Sequence, residues 1–211
     1  DDLSLPGKIE RQMTFMRAPP ECAIAQTEEI RVRGGRRVNP GWRHRKRAGD
    51  IFSDSLRTCM ISPSAVILRT RLFRELGGFD ERMAAAEDYD LWLRILANHR
   101  VGLIPEPSVM RRAGHPGQLS ATVPAIDRFR LLALLKLLEG DRLDQLQRCA
   151  VGIVTEEKCA IYAQGLRRRG READAIAVTE IAARTTIAVA DRKRVSLSDS
   201  IASMVTIIAK D

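Results

Sequence analysis

Aromatic residues make up only 4% of this chain, and histidine occurs three times in 211 residues. None of the aromatics interleaves the basic block at Arg167 to Arg171, and no helix-turn-helix, RRM or zinc-finger pattern appears, so nucleic acid is not an expected partner. No apolar run approaches the roughly 20 residues of a membrane span, and no basic stretch followed by an apolar core marks a signal peptide. The four cysteines, Cys22, Cys59, Cys149 and Cys159, are widely scattered and form no CxxC or zinc spacing. Reduced thiols are therefore expected, and with them a cytoplasmic location, or one peripheral to a membrane.

What remains is ordinary globular material, 45% hydrophobic and 29% charged, with a net charge of +8 concentrated in arginine. One arginine block runs from Arg31 to Arg47 and the other from Arg167 to Arg171. Such blocks suit anionic partners: a phosphorylated substrate or anionic lipid. Part of the first block is explained by a ribbon, because Glu29 to Arg33 and Arg36 to Val38 alternate around Gly34-Gly35, a hairpin signal. Arg43 to Arg47 remain as a basic loop that either is simply solvated or meets an anionic acceptor or a membrane surface.

The chain changes character along its length. Lys8 to Met16 reads as a short helix ended by Pro19-Pro20, Cys22 to Gln26 and Ala65 to Arg69 as strands, and Thr70 to Leu76 as a helix stopped by Gly77-Gly78. Val101 to Pro105 reads as a strand ended by proline, with Ser108 to Arg112 a second one. This mixture predicts an α/β domain over residues 1–123. Residues 124–211 read as a helical section, with helices over Ile126 to Leu138, Arg142 to Arg169, Glu172 to Val189 and Ser198 to Ala209.

The densest chemical signal is Glu87-Asp88-Tyr89-Asp90-Leu91-Trp92, with three acids in four residues at the start of an apolar helical pattern. Leu91, Trp92, Ile95 and Leu96 recur with a 3.6-residue period, which places Asp88 on the inward face. Asp90 falls off that stripe, four residues before Arg94, and is expected in an exposed ion pair. An acid at a helix N-terminus can simply cap it. One that also borders a pocket can take a proton from a substrate hydroxyl.

Asp1-Asp2 followed by Leu5-Pro6, Lys8 and Gln12, then Gly77-Gly78-Phe79-Asp80-Glu81, then Glu87 to Arg94, then His115 and Ser120, resemble in order and spacing the family 2 glycosyltransferases of the GT-A fold. The resemblance runs from Asp1 to about Ser120 and is most specific from Gly77 to Arg94. It implies a partial GT-A domain followed by the helical section. The implied activity is inverting transfer of a sugar from a nucleotide-sugar donor to a hydroxyl on a glycan or lipid-linked acceptor. By the same resemblance Asp88, with Glu87 beside it, matches the catalytic base. Asp1, Asp2 and His115 match ligands of a divalent metal, Mg or Mn. Arg111, Arg112, His115 and Gln118 match the segment over the donor diphosphate, and Gly77, Gly78 and Phe79 shape the acceptor side. Family enzymes carry a strand-helix half for the nucleotide base and ribose before the Asp-rich motif. Activity is therefore expected only together with that half. The alternative is a non-catalytic fragment or a module that binds glycan or protein.

Overall fold

The computed structural model describes residues 2–18, 22–39, 41, 45–114, 123, 125–190 and 196–210. The chain divides into two compact units, one formed by Asp1–Asp80 and Leu91–Thr122, the other by Glu81–Asp90 and Val123–Asp211. The second unit thus includes residues 81–90 as well as the section expected beyond residue 123.

The first unit is built on a mixed sheet of strands β1 (Leu3–Ser4), β2 (Ile24–Arg33), β3 (Arg36–Val38), β4 (Val66–Leu68) and β5 (Val101–Ala113). The spatial order is β1-β5-β2-β3, and β4 pairs with the first half of β2. The long neighbours β2 and β5 are parallel, whereas the other pairings are antiparallel. Ile24, Ala25, Val101, Ile104 and Val109 are buried in this pair. A fully buried aliphatic side chain of this kind contributes about 1.5–3 kcal/mol.

Two expected strands, 101–105 and 108–112, are one. Thr27 aligns with Ile104 but the next residue, Glu28, aligns with Pro107, and Glu29 with Val109. The extra residues are absorbed as a bulge at the prolines, so the missing N–H of Pro105 interrupts the ladder locally without ending the strand. The predicted β2–β3 hairpin is present, with Arg33 opposite Arg36 across Gly34 (φ 54°) and Gly35 (φ 76°). Positive φ at both central residues is what a two-residue type I′ turn requires.

Helices α1 (Lys8–Arg17), α2 (Phe52–Arg57) and α3 (Thr70–Glu75) also belong to the first unit. Helix α4 (Glu87–Leu96) begins in the second unit and continues into the first. The second unit otherwise holds α5 (Asp127–Glu139), α6 (Gln145–Arg168), α7 (Glu172–Ala190) and α8 (Ser198–Ile208). The start of α6 is fixed by a capping box, in which Asp144 accepts the N–H of Gln147 at 2.8 Å and the Gln147 side chain accepts that of Asp144 at 3.0 Å. Its end is a Schellman motif: Gly170 (φ 73°) donates to the carbonyl of Arg167 and Arg171 to that of Leu166. Among the described residues no helix is long and apolar enough to cross a membrane.

Candidate functional site

Pairing of Leu3 with Met110 and Ser4 with Val109 brings the start of the chain beside the end of β5. Asp2 there accepts the Arg112 backbone N–H at 3.2 Å with one carboxylate oxygen and the Ser64 hydroxyl at 2.7 Å with the other. Ser64 belongs to a 3₁₀ turn, Pro63–Ala65, which α1 holds from its own side. Lys8 donates to the Ser64 carbonyl at 2.6 Å and Gln12 to the Ala65 carbonyl at 3.3 Å. Three expected site residues, Asp2, Arg111 and Arg112, are thus brought to one place in the first unit.

The same segment carries a buried ionic cluster that the sequence did not reveal. Glu29, on β2, has only 2% of its side chain exposed and meets Lys46 Nζ at 3.0 Å, Arg31 Nε at 3.5 Å and Arg111 Nη1 at 3.9 Å. Ser62 accepts from Lys46 at 2.9 Å and from Arg111 at 3.3 Å. Burial alone would raise the Glu29 carboxyl, but the adjacent Lys46 charge, the nearby Ser62 hydroxyl and the Arg111 guanidinium together hold it below the ordinary carboxylate value. Three cations share one carboxylate, so the cluster retains an excess of positive charge, and Arg111 is its most exposed member at 40%. That arrangement holds a guanidinium at the surface and leaves it able to meet an anion.

The sequence places Lys46 in a basic loop, Arg43 to Arg47, expected to be either solvated or aimed at an anionic acceptor or a membrane surface. It is instead interior, while Arg45 is exposed and Arg47 pairs with Asp54 at 2.6 Å. Arg43 and His44 lie outside the described residues, as do Asp1, His115, Gln118 and Ser120.

In the second unit, Glu87 and Asp88 occupy the first turn of α4 and are half-buried. Asp88 Oδ1 accepts the N–H of Tyr89 at 2.7 Å. The residue before the helix, Ala86, has φ 59°, a left-handed conformation that an alanine adopts only at a cost of about 1 kcal/mol. Asp90 departs from expectation. Instead of lying exposed, it has 2% of its side chain accessible and pairs with Lys136 of α5 at 2.7 Å. The reason is that Tyr89, Leu91, Trp92, Leu93, Ile95 and Leu96 are all buried, so α4 is covered on more than the one face its periodicity suggests. Of the two aspartates, the half-exposed one is Asp88.

Arg94 serves the first unit. Its guanidinium donates to the carbonyls of Leu76 at 2.6 Å and Gly78 at 2.8 Å. These are the residues that end α3, where Gly77 (φ 77°) donates to Arg74 and Gly78 (φ 68°) to Phe73 in a second Schellman motif. Phe79 follows, 41% exposed, edge-on to Phe73 at 5.6 Å and to buried Trp92 at 6.4 Å. Gly77-Gly78 therefore form a helix stop that presents an aromatic ring at the surface.

Among the described residues no cluster of three or more His, Cys, Asp or Glu side chains could hold a metal ion. They supply one carboxylate, Asp2, whose two oxygens already accept hydrogen bonds. A divalent ion does not fit these residues alone, and its two other expected ligands, Asp1 and His115, are outside them.

Residues 51–120 match the family model described as glycosyltransferase like family 2. The match includes Gly77 to Phe79, the acidic run and Arg111-Arg112. No curated protein matches the chain.

Proposed function

We propose that this chain, whose residues 51–120 match the glycosyltransferase family 2-like model, contributes the acceptor side of an inverting sugar transfer from a nucleotide-sugar donor. The observation that carries this reading is the match over residues 51–120, which contains a half-exposed Asp88 at the start of α4. In the proposed reaction the Asp88 carboxylate takes the proton of an acceptor hydroxyl. The hydroxyl oxygen forms the new bond to the anomeric carbon as the bond to the donor phosphate breaks, and the nucleoside diphosphate leaves with the electron pair. A base on the face opposite the leaving group gives inversion. Arg111, steadied by Glu29 and Ser62, and Arg112 take the diphosphate, with His115 and Gln118 of the same segment. Glu87 stands beside the base, and Phe79 offers an apolar face to the acceptor. A divalent cation on Asp1, Asp2 and His115 would offset charge on the leaving diphosphate.

This reading assigns the nucleotide base and ribose to a β-α-β half, so turnover is to be measured on a polypeptide that carries both parts. Asp88→Asn should lower transfer about 10²–10⁴-fold with nucleotide diphosphate affinity unchanged, the usual contribution of a general base. Arg111→Gln should weaken nucleotide diphosphate binding in calorimetry. Transfer that survives Asp88→Asn sinks the base assignment. Acceptor binding with no turnover in any such polypeptide would favour the non-catalytic module.

A further inference from the structure

The β2–β3 hairpin carries more positive charge than its own structure can use. Residues 31–47 contain seven arginines and one lysine and no aspartate or glutamate. Of these, Arg31 and Lys46 are committed to Glu29 and Arg47 to Asp54. Arg33, Arg36 and Arg37 are exposed, and among the described residues none of the three makes an ion pair or side-chain hydrogen bond.

Their placement is unfavourable for the isolated fold. The two-residue turn sets Arg33 directly opposite Arg36, and like charges so placed on neighbouring strands destabilise the pairing. Arg37, next along β3 and opposite Val32, points to the other face of the sheet. The hairpin end is therefore basic on both faces, which matches a diffuse layer of negative charge better than a one-sided pocket for a single anion. Val38, between these arginines and the rest of the chain, is 38% exposed, and Trp42 follows in sequence. Cations mixed with a few apolar or aromatic side chains suit the headgroup region of a bilayer.

We propose that the β2–β3 hairpin docks this chain onto an anionic phospholipid surface through Arg33, Arg36 and Arg37. The association is electrostatic, reversible and independent of whether sugar transfer is the activity.

The test is co-sedimentation with vesicles of phosphatidylcholine alone and of phosphatidylcholine with 30% phosphatidylglycerol. The chain should partition onto the anionic vesicles only, and release as salt shortens the screening length. Arg33→Gln/Arg36→Gln/Arg37→Gln should lower the partition coefficient on the order of a hundredfold, at roughly fivefold per arginine. A charge-matched control, Arg17→Gln/Arg74→Gln/Arg168→Gln, removes three other exposed arginines and should leave it within about threefold of the unmodified chain. Circular dichroism and the melting temperature of the hairpin variant should be unchanged or improved, since a repulsive pair is removed. Equal losses in the two variants would mean that only net charge matters, and would overturn the proposal. So would equal binding to neutral vesicles, displacement by millimolar inorganic phosphate at fixed ionic strength, or a duplex oligonucleotide bound in preference to the vesicles.

Discussion

Replacing Glu29 by Gln removes the one carboxylate that Lys46, Arg31 and Arg111 share. The Lys46 ammonium, with 4% of its side chain exposed, would keep Ser62 at 2.9 Å and the Met60 carbonyl at 3.5 Å but lose its counter-charge at 3.0 Å. At an effective dielectric of ~20, attraction over that distance is about 5–6 kcal/mol, part of which offsets the burial of both ions. Breaking a buried pair on one side typically costs about 3–5 kcal/mol, which we expect here. In urea, with a slope near ~2 kcal/mol/M, the transition of this unit should move down by about 2 M, followed by tryptophan fluorescence with buried Trp92 as reporter. Glu29→Leu with Lys46→Met, which replaces both ions with apolar groups, should recover most of the loss. The pH dependence has a definite sign. A carboxyl held below its ordinary value binds its proton less readily folded than unfolded, so its contribution is complete above the unfolded value near 4.5 and is lost as pH falls through the folded one. The Gln variant should lack that acid-side loss. A destabilisation under ~1 kcal/mol would refute the reasoning, because Lys46 would then be reaching water and the pair would behave as a surface one.

Three further outcomes are expected. Asp90→Asn should cost about 2–3 kcal/mol in chemical denaturation, at or below the lower end for a buried pair, because Lys136 is 21% exposed and can turn to solvent; a change within ~0.5 kcal/mol would contradict the pairing. Gly77→Ala should cost about 1 kcal/mol, from the left-handed backbone alone, since a Cβ there meets nothing within 4 Å. Gly78→Ala should cost more, because its Cβ would lie 3.0 Å from the Phe73 ring, and equal melting temperatures for the two variants would refute the distinction. The Cys159 thiol is pushed up to about 12 by burial and by nearby Glu156, so Ellman's reagent at pH 8 should modify it only on unfolding, after half-buried Cys22, Cys59 and Cys149; four equal rates would disprove its burial.

Features written in local chemistry were legible in the sequence. Gly34-Gly35 between alternating residues announced the hairpin, Gly77-Gly78 the end of α3, and the helices beyond residue 124 came within three residues of their observed bounds. Features that depend on distant residues were not. Glu29 finds Lys46 seventeen positions away and Asp90 finds Lys136 forty-six away, and neither pair has a spacing that marks it. Pro105 reads as a strand end because it lacks a ladder donor; only the register against β2 shows that a bulge accommodates it. The basic loop misled in a similar way, since a lysine beside three arginines gives no sign that it alone turns inward.

The acidic run shows why this matters for assigning chemistry. Periodicity put Asp88 inside and Asp90 outside, yet Asp90 is the one sealed against Lys136 while Asp88 keeps access to solvent. A base must be reached by a hydroxyl, so partial exposure favours Asp88 on geometry as well as on resemblance. Loss of activity on replacing Asp90 would then say little about catalysis, because it would accompany a loss of stability. The informative comparison sets the two substitutions side by side. Asp88→Asn should lower transfer by about 10²–10⁴-fold while leaving the denaturation midpoint within about 0.2 M, whereas Asp90→Asn should move the midpoint and reduce transfer only in proportion to the unfolded fraction. If the two variants behaved alike, the separation of roles along this helix would fail.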